Sequence, residues 1–163
     1  VKAGGNYASS LLAATEAKKR GYSQVLWLDA AQKKYVEEVG TMNVFFEIGD
    51  EIITPSLDGT ILEGGTREVV IKLLRESGRQ VIERKLSLEE ILAADKNGTL
   101  KEAFGTGTAA VISPIGELGS EDFKITFNGR GAEWGPTATK IYREVTSLQY
   151  GESKDIHGWL NLI

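Results

Sequence analysis

The sequence of 163 residues has no cysteine, a single histidine and only three prolines. Without cysteine, the chain can form neither a disulfide bond nor a thiolate metal site, and it has no cysteine nucleophile. A Ser-His-Asp triad would need His157, the single histidine, which lies in a polar segment near the C-terminus. Cysteine catalysis is therefore excluded, and such a triad is disfavoured.

A long hydrophobic run and an excess of basic residues are also missing. No apolar stretch approaches the length of a membrane span, and no signal-peptide pattern is present. The 19 basic side chains are outnumbered by 23 acidic ones, so the chain lacks the basic surface that nucleic-acid binding requires. A small phosphorylated ligand stays compatible with this charge, because backbone amides can bind phosphate. We expect a cytoplasmic protein with neither a membrane nor a nucleic-acid partner.

The composition that remains is that of an ordinary globular domain, with 41% hydrophobic and 26% charged residues. Apolar periodicity and end signals predict four helices, at residues 6–20, 66–77, 87–97 and 136–150. Apolar runs predict strands at residues 24–29, 44–48, 51–54, 80–86, 110–113 and 123–127. Residues 105–108 are interpreted as a glycine-rich turn. Strands interleaved with helices indicate the α/β class.

Four short motifs stand in order along the chain. They are residues 2–7 (Lys-Ala-Gly-Gly-Asn-Tyr), 37–43 (Glu-Glu-Val-Gly-Thr-Met-Asn), 62–67 (Leu-Glu-Gly-Gly-Thr-Arg) and 104–110 (Phe-Gly-Thr-Gly-Thr-Ala-Ala). The first places the amine of Lys2 ahead of a glycine pair and a phenol, where it could hold an aldehyde as an imine. From composition alone, Lys2 also fits an exposed terminal lysine, and Glu37 and Glu38 also fit two solvated charges.

In this order and at these separations, the motifs resemble the second half of a branched-chain amino acid aminotransferase. That family depends on pyridoxal 5'-phosphate and shares its fold type with D-amino acid aminotransferases. The similarity continues through residues 148–151 and 158–159, so it covers essentially the whole chain. It implies a barrel-like mixed β-sheet with surrounding helices, transamination between leucine, isoleucine or valine and 2-oxoglutarate, and a homodimeric parent enzyme.

The resemblance implies three residues that act on the cofactor ring. Lys2 would bind the cofactor covalently and then act as general acid and base. Tyr7 would hydrogen-bond the phenolic oxygen of the cofactor. Glu38 would keep the pyridine nitrogen protonated, because a nearby carboxylate favours the cation.

The resemblance also implies residues for the two anionic groups of the complex. Gly65 and Thr66 would bind the cofactor phosphate at the start of a helix, where free amides and the helix dipole favour an anion. Thr108 would contribute to the phosphate site from the fourth motif. Thr41 and the amide of Ala109 would receive the substrate carboxylate.

Two departures from the family pattern affect these expectations. Glu63 stands where family members commonly have proline, which places a negative charge near the phosphate site. Ala110 and Ser113 replace a cysteine pair that some members carry, so a thiol redox switch is excluded.

Family members also carry a further N-terminal domain. We therefore expect residues 1–163 to be the cofactor-binding C-terminal domain, with weak or no turnover by itself. Two alternatives stay open: another enzyme of the same fold type, such as a D-amino acid aminotransferase or an aminodeoxychorismate lyase, or a folded fragment without catalysis.

Overall fold

The structure, a computed structural model, describes residues 4–127 and 134–160. These residues form the helices α1 (Gly4–Ala8), α2 (Leu11–Lys19), α3 (Gly65–Glu76), α4 (Leu88–Lys96) and α5 (Pro136–Gln149). They also form the strands β1 (Leu26–Leu28), β2 (Val36–Val39), β3 (Met42–Ile48), β4 (Glu51–Thr54), β5 (Gln80–Glu83), β6 (Leu100–Gly107), β7 (Val111–Pro114), β8 (Glu117–Gly119) and β9 (Lys124–Thr126). Within the described ranges, no helix has both the length and the apolar character needed to cross a bilayer.

Strand β3 lies at the centre of a seven-stranded mixed sheet. One edge of β3 pairs with β6 from Asn43 to Ile48. The other edge pairs with β2 at its beginning and with β4 at its end. Strand β5 joins β4 in parallel, whereas the other pairs in this sheet are antiparallel. Strands β8 and β9 form a separate hairpin.

The two faces of this sheet bury separate hydrophobic cores. On one face, Phe45 and Phe104 pack with Val70 of α3 and Ile141 of α5. On the other face, a second core is formed by residues that include Val44, Phe46, Ile53, Leu86 and Ile91. The predicted α/β class, with a mixed sheet and surrounding helices, is confirmed.

Two local predictions are wrong, and strands β2, β6 and β8 lie where no strand was predicted. The predicted helix 6–20 is two helices separated by Ser9 and Ser10, and serine is a residue type that favours caps and turns over helix interiors. Strand β2 was not predicted, since Val-Glu-Glu-Val lacks an alternating pattern. Residues 105–107 belong to β6 instead of a turn. A Cβ atom at Gly105 or Gly107 would press on Met42, so these glycines permit close packing between strands.

Candidate active site

Three polar side chains form a row across neighbouring strands. Glu38 of β2 is the register partner of Asn43 of β3, and Asn43 is the register partner of Thr106 of β6. Register partners project to the same face of a sheet. This face is the one covered by α3 and α5. Phe45 lies two residues after Asn43 on β3, Phe104 lies two residues before Thr106 on β6, and both rings pack against these helices. We call Glu38, Asn43 and Thr106 the polar row.

The turns that precede β3 and follow β6 lie at the same end of the sheet as the polar row. Gly40 and Thr41 form the two-residue turn between β2 and β3, with a φ angle of +59° at Gly40. Glycine at the first central position is typical of a type II′ hairpin turn. Thr108 and Ala109 lie in the turn between β6 and β7. Because β3 and β6 are antiparallel, the fold brings Thr41 close to the turn that holds Thr108 and Ala109.

The segment before α3 crosses directly over the polar row. The amide of Leu62 donates a hydrogen bond of 3.2 Å to Oε1 of Glu38. The carbonyl of Leu62 accepts a hydrogen bond of 2.8 Å from Nδ2 of Asn43. Gly64, the N-cap of α3, approaches Asn43 so closely that a Cβ atom would collide with Oδ1 of that residue. The amide and the carbonyl of one residue are therefore both held by the polar row.

The N-terminus of α3 presents backbone amides without a side-chain cap. The first helical hydrogen bond runs from the amide of Glu68 to the carbonyl of Gly64, so the earlier amides have no partner within the helix. A Cβ atom at Gly65 would have no neighbour within 4 Å, so this side of the first turn is open. Uncapped amides and the positive end of the helix dipole favour an anion at Gly65 and Thr66.

A buried arginine supports this helix end from behind. Arg67 is 4% exposed, and its Nη2 donates to the Pro55 carbonyl and to Glu83, each at 3.0 Å. Arg75 also donates to Glu83. Burial alone would raise the pKa of Glu83, but the hydrogen bonds and charges of Arg67 and Arg75 outweigh burial and lower this pKa below its ordinary value. The first turn of α3 is thus fixed to β5 by an ion pair.

Two further features indicate that this end of the sheet is built for a ligand. The hydroxyl of Thr106, 2% exposed, has no hydrogen-bond partner among residues 4–127 and 134–160, which is costly for a buried polar group. Val111, at the end of the turn after β6, has a φ angle of +55°, which is unusual for a β-branched residue. Backbone strain of this kind concentrates at functional sites.

The segment after Lys2 reaches the same region. Ser9 and Ser10, between α1 and α2, line a cavity of about 220 Å³ together with Trp27, Glu37 and Glu38. The indole Nε1 of Trp27 donates a hydrogen bond of 2.9 Å to the carbonyl of Gly40. The segment that follows Lys2 in the sequence therefore passes, at Ser9 and Ser10, beside Glu38, the candidate partner of the pyridine nitrogen.

Six of the eight residues predicted for the site lie at this end of the sheet: Glu38, Thr41, Gly65, Thr66, Thr108 and Ala109. Lys2 lies outside the described residues. Tyr7 belongs to α1, but its side chain lies outside what the structure describes. Sequence reasoning missed Asn43 and Thr106, although each is a polar residue beside an apolar strand segment, which signals a buried polar group.

The sequence comparisons agree with this geometry. The sequence pattern of the family described as Amino-transferase class IV matches residues 2–118. The chain belongs to this family. Its match begins at Lys2 and ends in β8, so it includes the four motifs and the polar row.

Relatives of known name give a more specific likeness. The chain is 54% identical over 159 residues to branched-chain-amino-acid aminotransferase 2 of Bacillus subtilis, covering 98% of this chain and 43% of that protein. The branched-chain amino acid aminotransferase of Escherichia coli has a similar structure, with a TM-score of 0.79, 36% identity, and coverage of 98% of this chain and 50% of that chain. The chain thus spans about half the length of the relatives that it matches.

A third relative was solved with its cofactor. An aminotransferase from Brucella abortus bound to the co-factor PLP matches with a TM-score of 0.71 and 30% identity, over 94% of this chain and 48% of that chain. The fold of this class IV aminotransferase chain is therefore shared with an aminotransferase whose structure contains the cofactor.

Proposed function

We propose that this chain is the cofactor-binding part of a pyridoxal-phosphate-dependent branched-chain amino acid aminotransferase. The enzyme would move an amino group between leucine, isoleucine or valine and 2-oxoglutarate. The observation that carries the proposal is the hydrogen bond that ties Glu38 to Leu62, three residues before the uncapped end of α3. It joins a carboxylate and an anion site, which are the two groups that this cofactor needs at its opposite ends.

The residues present fit pyridoxal phosphate. The amides at Gly65 and Thr66 suit a phosphate, because they are uncapped and lie at the positive end of α3. The open space beside Gly65 leaves room for the anion. Glu38, held by the Leu62 amide, supplies the carboxylate for a protonated pyridine nitrogen. The hydroxyl of Thr106, which has no partner within the described part of the chain, offers a further polar contact.

When bound, pyridoxal phosphate supplies a carbonyl that condenses with amino groups and a ring that accepts the electrons left by the departing α-proton. The protein's part is to hold that ring and to control its charge. Glu38 would stabilise the proton on the ring nitrogen, which strengthens the ring as an electron acceptor. Thr66 and Thr108 would donate to the phosphate and fix the ring in place.

Lys2 would carry the proton in this reaction. Its amine would first accept the proton from the α-carbon of the amino acid, as a general base. It would then donate this proton, as a general acid, to complete the transfer of the amino group. A lysine can do this because its pKa falls readily in a partly buried, cationic site, whereas arginine stays protonated. The turn residues Thr41 and Ala109 would orient the α-carbon by receiving the substrate carboxylate.

The test is a titration of the full chain with pyridoxal phosphate, followed by absorbance. We expect a cofactor band that differs from free cofactor and that Lys2→Ala removes, while Lys18→Ala on the exposed face of α2 leaves it unchanged. Persistence of the band in Lys2→Ala would rule out Lys2 as the nucleophile. Turnover with L-leucine against D-alanine as donor would separate the branched-chain enzyme from a D-amino acid aminotransferase.

We also propose that polypeptide outside these residues completes the active site, because the curated relatives are more than twice as long. In the described chain, Arg67 beside the phosphate site is already engaged with Pro55 and Glu83. Turnover by residues 1–163 alone would then be weak, and activity equal to that of the longer relatives would contradict this. The complete enzyme would be a cytoplasmic homodimer, which light scattering and cell fractionation would check.

A further inference from the structure

Asn43 is the one member of the polar row for which the reaction gives no role. It is 5% exposed and lies at the beginning of the apolar strand β3. A buried amide needs hydrogen-bond partners, because burying it without them is costly. Its Nδ2 group finds one in the carbonyl of Leu62, at 2.8 Å.

The same peptide segment is held from the neighbouring strand. The Leu62 amide donates to Oε1 of Glu38 at 3.2 Å, and Glu38 is the register partner of Asn43. Two adjacent side chains of the sheet therefore hydrogen-bond to the amide and the carbonyl of a single residue. Because a strand pair is rigid, these two hydrogen bonds fix the segment before α3 relative to Glu38.

The hydrogen bonds to Leu62 restrict which residue types fit at positions 43 and 64. The side chain at position 43 must donate to a carbonyl without adding negative charge beside Glu38, and a neutral amide meets both conditions. The other side of the amide, Oδ1, lies where a Cβ atom of residue 64 would be. Gly64 has φ −78° and ψ 128°, a conformation open to any residue, so glycine is required there by the contact with Asn43.

We propose that Asn43 is a positioning residue for the cofactor: it sets the separation between the Glu38 carboxylate and the phosphate-binding end of α3. Asn43 does not touch the reacting atoms in this account. It acts through the Leu62 peptide, which links the residue beside the ring nitrogen to the turn that binds the phosphate. This inference rests on the proposed function, since both ends of the link are assigned by it.

The first test compares three variants in the full chain. Asn43→Asp keeps the size of the side chain but removes the donor, and Gly64→Ala displaces the amide while leaving Asn43 itself intact. Each should weaken pyridoxal phosphate binding by about 5- to 20-fold, the range expected for losing one buried hydrogen bond at a binding site. Thr54→Val is the matched control, because Thr54 is buried on β4 and its hydroxyl donates to the Val44 carbonyl, a hydrogen bond that includes none of Glu38, Asn43 and Leu62. It should lower thermal stability without changing the cofactor dissociation constant.

The second test asks whether the two ends of the site are linked. In the cofactor-free chain, Asn43→Asp should weaken protection by inorganic phosphate against thermal unfolding. In the cofactor-bound chain, Gly64→Ala, which adds no charge beside Glu38, should shift the pH dependence of the cofactor absorbance, which reports on the Glu38 end. The effects of Asn43→Asp and Glu38→Gln on the dissociation constant should not add, because both pass through Leu62.

The outcomes separate this inference from the proposed function. If the unaltered chain binds no pyridoxal phosphate, the proposed function fails and this inference fails with it. If the unaltered chain binds the cofactor but Asn43→Asp and Gly64→Ala bind it as tightly as Thr54→Val does, only the inference fails. Weaker binding in both variants, with the shifted pH dependence in Gly64→Ala, would support it.

Discussion

Phe45 and Phe104 stack face to face across β3 and β6, with ring centroids 5.2 Å apart and ring planes 8° from parallel. The stack lies between two polar pairs on the same face of the sheet. Asn43 and Thr106 are paired on one side of it, and Glu47 and Glu102 are paired on the other. Along β3 and β6, the candidate site is thus followed by the hydrophobic core and then by the carboxylate pair. The aromatic pair separates the two polar regions.

Replacing one ring of this stack should destabilise the whole chain. Phe104 is fully buried, so Phe104→Leu loses both ring stacking and packed volume, and we expect the free energy of unfolding to fall by about 1–2 kcal/mol. Tyr150→Leu is the control, since that ring is 80% exposed. Urea denaturation measures both variants. Equal stability of the two variants would show that the stack does not contribute.

The buried carboxylate of Glu102 anchors the beginning of α5. It accepts hydrogen bonds from the amides of Thr137 at 2.7 Å and Ala138 at 3.1 Å, which would otherwise lack partners in the first helical turn. Its register partner Glu47 accepts from the Thr137 hydroxyl and from Arg79, each at 2.6 Å. The positive end of the helix dipole also favours a negative side chain at this position.

Removing this anchor should cost more than removing a surface carboxylate. Glu102→Ala leaves two buried amides unpaired, and we expect a loss of about 2–4 kcal/mol in the free energy of unfolding. Glu89→Ala, in the first turn of α4 and exposed, should change stability by less than about 1 kcal/mol. Thermal unfolding of the two variants distinguishes them, and similar melting temperatures would contradict the anchoring role.

The parts of the fold that followed from the sequence are those with strong local signals. The helix predicted at 66–77 is observed at Gly65–Glu76, because Val70 and Leu74 form a buried stripe. The helix predicted at 87–97 is observed at Leu88–Lys96, and Ser87 caps it, with the Glu90 amide donating to its hydroxyl at 3.1 Å. Strand β6 was not predicted, because its glycines pack against Met42 from a distant part of the chain.

The candidate site was predictable only to the extent that its motifs are local. The resemblance placed Glu38 and Thr66 in the site, and the fold brings both to one end of the sheet. The hydrogen bond from Asn43 to Leu62 joins residues 19 positions apart, and no local pattern encodes such a contact. The placement of the Thr106 hydroxyl beside Asn43 likewise depends on the register of β3 and β6. The roles of Lys2 and Tyr7 stay predictions.

Acid should weaken the ion pair between Glu83 and Arg67, behind the proposed phosphate site. The pKa of Glu83 is lowered from its ordinary value of 4.5, so the carboxylate stabilises the fold above that pH and loses this effect as the pH falls through its lower folded-state pKa. Because the Glu83 side chain is 35% exposed, we expect less than about 1 kcal/mol.

The measurement is the difference in the free energy of unfolding between the unaltered chain and Glu83→Gln as a function of pH. The difference should be largest near neutrality and should disappear once Glu83 is protonated in the folded chain. Glu16→Gln, at an exposed position on α2, controls for the loss of one negative charge. A difference that stays constant down to acid pH would mean that the ion pair with Arg67 does not stabilise the fold.

Strain at Val111 gives a test of the turn that carries Thr108 and Ala109. With a φ angle of +55°, the residue occupies the left-handed region, which costs a non-glycine residue about 1–2 kcal/mol. Val111→Gly should therefore be more stable than Val111→Ala by about 1 kcal/mol, although glycine is normally the worse residue in a strand. Chemical denaturation compares them directly, and a more stable Val111→Ala would show that the turn is unstrained. Val111→Gly should also bind pyridoxal phosphate more weakly than Val111→Ala does, because the turn would lose the rigidity that, under the proposed function, positions Thr108 for the phosphate.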